Sequence, residues 1–106
     1  MVVSILMRRT RLKDRAQWEK QLGGVLPKIR EVVESQPGFV SLQYLWSPDE
    51  AGDTAQLTTW RTLDDCRRYV RGGAAATVAT LEDAALPTAA HPDGAWVRRT
   101  YELVVS

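Results

Sequence analysis

Cysteine, histidine and phenylalanine occur once each in this chain of 106 residues, and methionine twice. A single cysteine cannot close an internal disulfide. Cys66 also has no CxxC partner or nearby histidine to make it a metal ligand or an activated thiol, so it reads as a small buried hydrophobe. Charge of one sign is lacking too. Fourteen basic and thirteen acidic residues leave a net charge of +1, which gives no overall field favouring nucleic acid or an anionic membrane. The eleven arginines and three lysines are interleaved with acids along the chain and read as solvated faces and interface pairs. No apolar run approaches the roughly 18 residues of a membrane span, and MVVSILMRRT is too short an apolar run for a signal peptide. The expectation is a cytoplasmic protein with neither a nucleic-acid nor a membrane partner. There are no repeats, linkers or low-complexity tracts, and the length suits one core. A single domain over residues 1–106 is therefore expected.

What is present is a sequence of well-punctuated elements. Val2 to Arg9 is rich in Val, Ile and Leu, which suits a strand buried on both faces. Asp14 can cap a helix whose apolar positions are Trp18, Leu22, Val25, Leu26, Ile29, Val32 and Val33, a stripe held for about four turns. Gly23, Gly24 and Pro27 interrupt that stripe, and the proline should kink or split the helix. Phe39 to Trp46 is the next strand, with Val40, Leu42, Tyr44 and Trp46 on one face and Phe39, Ser41, Gln43 and Leu45 on the other. The polar loop from Ser47 to Asp53 makes an antiparallel hairpin, pairing residues 39–46 with 54–61. Thr62, with Asp65 three residues on, is a capping-box start for a short helix bearing Leu63, Cys66, Tyr69 and Val70 on one side. Gly72 and Gly73 break the chain. A further helix follows from about Ala74 to Leu86, with Val78, Leu81 and Ala85 inward. The loop from Pro87 to Gly94 carries His91, and Trp96 to Val105 is the last strand.

Strand, helix, strand, strand, helix, strand is the split βαβ plan. It predicts an α+β, ferredoxin-like βαββαβ domain with an antiparallel sheet and its helices on one face. Strands two and four carry Phe39, Tyr44, Trp46, Trp96 and Tyr101 on both sides of the pleat, so a monomer would leave an aromatic face wet. A homodimer joined sheet to sheet is expected, with Arg8, Arg9, Arg98 and Arg99 at its rim.

Over nearly its whole length the chain resembles the antibiotic-biosynthesis monooxygenase superfamily of dimeric α/β barrels. The resemblance is carried by Pro37-Gly38-Phe39 entering strand two, by the hairpin, and by Thr59-Trp60-Arg61-Thr62-Leu63-Asp64-Asp65 leading to Tyr69. Cofactor-free quinone-forming members are similar at the tryptophan, matched by Trp60. Their asparagine four residues earlier is Gln56 here, which keeps an amide able to hydrogen-bond a phenolate or peroxide oxygen. Their tyrosine after the tryptophan falls at Cys66, and Tyr69, one turn on, is its possible substitute. The positions that matter in the haem-degrading branch fall at Met7, Tyr69 and about Ala79, and none matches, which speaks against haem degradation.

The resemblance thus implies a cofactor-independent monooxygenase acting on an electron-rich aromatic or polyketide-like small molecule, without metal, haem or flavin. Gln56, Trp60 and Tyr69 would donate hydrogen bonds and His91 would take the proton. Each has a plainer reading: Trp60 as core, Tyr69 as packing with its hydroxyl in water, His91 as an exposed loop residue. Gln56, Thr58 and Trp60 share one strand face. On the helix side they would line a pocket; on the partner side they would be interface. The alternative function is a non-catalytic dimeric barrel that binds a small apolar ligand or serves a partner protein.

Overall fold

The structure, a computed structural model, describes residues 1–89 and 97–104. Its elements are β1 (Val2–Thr10), α1 (Arg15–Glu34), β2 (Phe39–Trp46), β3 (Asp53–Trp60), α2 (Leu63–Arg71), α3 (Gly73–Ala85), β4 (Thr88–Ala89) and β5 (Val97–Glu102). The antiparallel sheet runs β2-β3-β1, with the short β4 and then β5 both pairing along the other edge of β1. This is the α+β, ferredoxin-like arrangement. His91 and Trp96 lie outside the described residues.

β1 alternates strictly. Val2, Ser4, Leu6, Arg8 and Thr10 are buried under the helices, while Val3, Ile5, Met7 and Arg9 are only half-buried. The expectation of a strand buried on both faces therefore holds on one face of the chain as described. α1 is not split. It runs unbroken from Asp14, whose carboxylate accepts the Ala16 N–H at 2.9 Å, through Gly23, Gly24 and Pro27. Trp18, Leu22, Ile29 and Val33 bury one side of it, and Pro27 is exposed, so the carbonyl that the proline leaves without a donor can be hydrated. Burying side chains the size of Ile29 and Val33 contributes about 1.5–3 kcal/mol each.

The hairpin pairs as expected, from Phe39 opposite Trp60 to Trp46 opposite Thr54, with a bulge between Phe39 and Ser41. That extra residue changes the facing of the strand start. Phe39 joins Leu42, Tyr44 and Trp46 on the helix side and meets Trp60 edge-on at 5.8 Å, leaving Val40 exposed. Trp46 packs on Trp18 at 5.3 Å. The expected wet aromatic face is thus covered by the helices. What the outer face carries is mainly aliphatic: Val3, Ile5, Met7, Ala55 and Leu57 half-buried, with Leu45 and Tyr101 exposed.

The turns place the next elements. Gly38 has φ +77°, and a Cβ there would strike the Asp65 carboxylate; its carbonyl accepts the Arg61 N–H at 2.9 Å. Thr62 caps α2 as expected, accepting the Asp65 N–H at 3.1 Å and donating its hydroxyl to Asp65 Oδ2 at 2.8 Å. Among the described residues, no helix is long and apolar enough to cross a membrane.

Candidate functional site

Three of the rungs of side chains on the helix-facing side of the sheet surround the candidate residues. Glu102, Val2, Trp60 and Phe39 form one, Thr100, Ser4, Thr58 and Leu42 the next, and Arg98, Leu6, Gln56 and Tyr44 the third. Gln56, Thr58 and Trp60 therefore face α1–α3 and are fully or almost fully buried there.

Trp60 is wedged between Phe39 and Tyr69. The Tyr69 ring stacks on it at 4.7 Å and 28°, and the indole N–H donates to Thr58 Oγ1 at 3.0 Å. Its donor is engaged within the core. Tyr69 projects from α2, 1% exposed, and its hydroxyl has no hydrogen-bond partner among the described residues. Burial pushes that hydroxyl up to about 12, while the Arg98 guanidinium opposes the rise.

Gln56 donates through Nε2 to Glu82 Oε2 at 2.9 Å and more weakly to Tyr44 Oη at 3.4 Å, while its Oε1 is buried with no partner among the described residues. The amide therefore presents an acceptor, the reverse of the donor role expected from the sequence. Glu82 organises this cluster. It is completely buried on α3, accepts the Tyr44 hydroxyl at 2.8 Å, and has Arg8 Nη1 at 3.8 Å from Oε1. Arg8 also pairs with Asp83 and donates to Thr88 Oγ1 at 3.0 Å. Burial raises the Glu82 carboxyl from its ordinary value against the hydrogen bonds of Tyr44 and Gln56 and the charge of Arg8. Burial and the Glu82 charge push the Tyr44 hydroxyl up as well.

The apolar pattern of α3 predicts an inner stripe of Val78, Leu81 and Ala85 and passes over Glu82. The buried stripe is Ala75, Val78 and Glu82, continued by Leu86 beyond the helix. Its spacing of three, four and four was available, but a glutamate reads by default as solvated. The arginines also need correction. Arg8 is 2% exposed beneath α3, and Arg98 turns inward to donate to Ser4 Oγ at 2.7 Å, so neither lies at an outer rim. Arg9 is on the outer side of β1, where it pairs with Glu50 at 2.8 Å.

A cleft of ≈ 380 Å³ opens between α2–α3 and the β1–β5 edge, walled by Leu6, Val70, Ala75, Ala76, Ala79 and Arg98. Gln56 and Trp60 are not in its wall, but Leu6 and Val70 are the immediate neighbours of Gln56 and Tyr69. A larger groove of ≈ 610 Å³ lies between α1 and α3, lined by Lys28, Glu31, Val32, Ser35, Gln36, Ala74, Thr77 and Leu81. Neither lining itself contains an orphaned buried polar atom among the described residues, but the smaller cleft adjoins Gln56, opposite Leu6, and Tyr69, next to Val70, which do carry such atoms, so it is the better candidate. Cys66 is buried, as expected, and burial raises its thiol.

No protein-family model matches the chain, and no curated protein matches it in sequence. The fold does have solved counterparts. SnoaB, a cofactor-independent oxygenase from Streptomyces nogalater, superposes with a TM-score of 0.62 at 19% identity, covering 99% of this chain and 95% of that one. The ActVA-Orf6 monooxygenase of Streptomyces coelicolor, solved with nanaomycin D, gives 0.69 at 20% identity, covering 99% and 88%. The haem degrader MhuD from Mycobacterium tuberculosis, with two haems in its active site, gives 0.66 at 19% identity, covering 100% and 98%. The chain thus has the fold of the antibiotic-biosynthesis monooxygenases. That fold carries more than one chemistry. Among the described residues, nothing in the cleft wall is suited to ligate a haem iron. The described wall offers neither imidazole nor thiolate, Ala79 brings no ligating atom, and Met7 lies on the opposite face of the sheet.

Proposed function

We propose that the protein is a cytoplasmic, cofactor-independent monooxygenase that oxidises an electron-rich aromatic or polyketide-like molecule in the cleft between α2–α3 and β1–β5. The observation that carries this is the Tyr69 hydroxyl, which is deeply buried, has no partner among the described residues and belongs to the residue next to the cleft-wall Val70. A buried hydroxyl without a partner costs about 1–3 kcal/mol, and a bound oxygen would remove that cost.

In such a reaction the substrate loses a proton from an activated carbon. The carbanion gives an electron to O₂ and the two radicals combine to form a C–O bond. The resulting hydroperoxide loses water, leaving a carbonyl, so a CH₂ and O₂ become a C=O and H₂O. O₂ is the oxidant, and the protein needs to desolvate the anion and stabilise developing charge. Tyr69 is the donor to that charge, Trp60 holds the Tyr69 ring, and Gln56, outside the cleft wall, holds the Tyr44–Glu82 cluster in place as a positioning residue. His91, the one histidine of the chain, is assigned the proton because an imidazole titrates near neutral pH.

The test is oxygen uptake with anthrone-type and dihydroxyaromatic substrates in the absence of added metal or flavin. Uptake that falls in both Tyr69→Phe and Gln56→Leu supports the reading, and silence across the panel overturns it. A second reading, a non-catalytic small-molecule-binding barrel, is favoured by one observation. The indole N–H and the amide NH₂ are both already engaged inside the protein. Ligand binding without oxygen uptake would establish it.

The proposal includes a homodimer through the outer sheet face. Its support is the continuous aliphatic surface of Val3, Ile5, Met7, Ala55 and Leu57, flanked by Leu45 at 46% and Tyr101 at 54% exposure. A face of that kind is covered in most soluble proteins.

A further inference from the structure

Of the six described residues that wall the cleft, Arg98 alone is charged. It is half-buried, one arm of its guanidinium is anchored on the buried Ser4 hydroxyl at 2.7 Å, and no carboxylate pairs with it among the described residues. Its neighbours in the wall, Leu6, Val70 and three alanines, offer it no counter-charge, and a planar oxyanion is the natural complement of a guanidinium. Independently, Tyr69, the residue next to the cleft-wall Val70, offers a buried hydroxyl with no acceptor among the described residues.

We propose that Arg98 and the Tyr69 hydroxyl form an oxyanion subsite, so that the cleft takes a flat aromatic oxyanion, a carboxylate or a phenolate, in preference to a neutral aromatic. The inference rests on the reading that this cleft is the ligand site, and it adds the charge of the ligand. The aliphatic wall of Leu6, Val70 and the alanines supplies apolar contact for one face of the rings. Ser4 fixes the guanidinium before the ligand arrives, which lowers the ordering cost of binding.

Calorimetric titration of the full chain with naphthoate, naphthol and naphthamide tests this, at a pH where naphthol is neutral in solution. The expected result is that naphthoate, or naphthol with release of a proton, binds at least about tenfold more tightly than naphthamide. The first outcome identifies a carboxylate ligand and the second a phenolate. Arg98→Gln should erase the preference and Arg98→Lys should retain part of it, with circular dichroism confirming that both variants fold. Equal binding of the three probes, no binding of any, or a preference that survives in Arg98→Gln overturns the subsite. Because the readout needs no O₂, an oxyanion preference without oxygen uptake leaves the subsite standing and removes the oxygenase reading.

Discussion

The Tyr69 ring lies on the Trp60 indole at 4.7 Å, tilted by 28°, and the two are held in that contact from different directions. Trp60 is fixed by Thr58 and by Phe39 within the sheet, while Tyr69 comes down from α2. The contact sets where the unpartnered Tyr69 hydroxyl sits. Tyr69→Phe should therefore cost no stability, and should gain up to about 1 kcal/mol by removing an unsatisfied buried group. Oxygen uptake should nevertheless fall by at least about tenfold. Urea unfolding alongside an oxygen electrode checks both halves, and a destabilised variant would show that the hydroxyl has a partner in the folded protein.

Trp60→Ala should behave differently. It removes the indole from a fully buried position, for which the expected loss is about 3–5 kcal/mol. Trp60→Phe retains an aromatic surface beneath Tyr69 while losing the bond to Thr58, so it should be the milder change in both stability and turnover. Thermal melts of the two variants provide the comparison.

Glu82 gives the stability a pH dependence of defined sign. Its carboxyl is raised from 4.5 by burial, so the folded protein holds that proton more tightly than the unfolded chain does. The contribution is fully present below 4.5 and is lost as pH rises through the elevated native value. Glu82→Gln removes this slope while keeping an acceptor for Tyr44 and Gln56. As pH rises from about 4 to about 8, the urea midpoint of the variant should therefore gain on that of the parent. A gap that stays constant across that range would show that Glu82 titrates normally.

Two glycines should respond to alanine with opposite signs. At Gly38, with φ +77°, a Cβ would come within 2.1 Å of Asp65 Oδ2, and Gly38→Ala should cost about 1–3 kcal/mol. At Gly23, within α1, a Cβ meets nothing within 4 Å, and Gly23→Ala should stabilise by about 0.5–1 kcal/mol. Denaturant midpoints decide each sign.

The outer sheet face predicts a response in mass. Placing a charge at its centre, as in Ile5→Glu or Leu57→Lys, should convert a dimer to a monomer in sedimentation or light scattering at micromolar concentration. A parent protein that is already monomeric would dispose of the sheet-to-sheet pairing.

The sequence was most legible where periodicity and capping chemistry agree, as in the α1 stripe from Trp18 to Val33, the β2–β3 hairpin and the Thr62 cap. Pro27 misled because its effect depends on which side of the helix is wet, which a linear pattern does not record. Phe39 misled because one bulge reverses a strand's facing, and nothing local in Phe-Val-Ser announces it. The site was half legible. Alternation put Gln56, Thr58 and Trp60 on one face, but the partner that decides which end of the Gln56 amide is available is Glu82, distant in sequence and on another element. Arg8 and Arg98 were misplaced for a related reason. A charged residue is read as exposed until the fold brings a carboxylate, a hydroxyl or a cleft to meet it.

Isotope labelling goes most directly to the chemistry. Metal-stripped protein would be incubated with an anthrone-type substrate under heavy-oxygen-labelled O₂ in ordinary water, and the product analysed by mass spectrometry. The expected result is one labelled oxygen atom per product molecule, with formation slowed in Tyr69→Phe. Product whose new oxygen comes from water, or no product beyond the uncatalysed background, would contradict a cofactor-free monooxygenase.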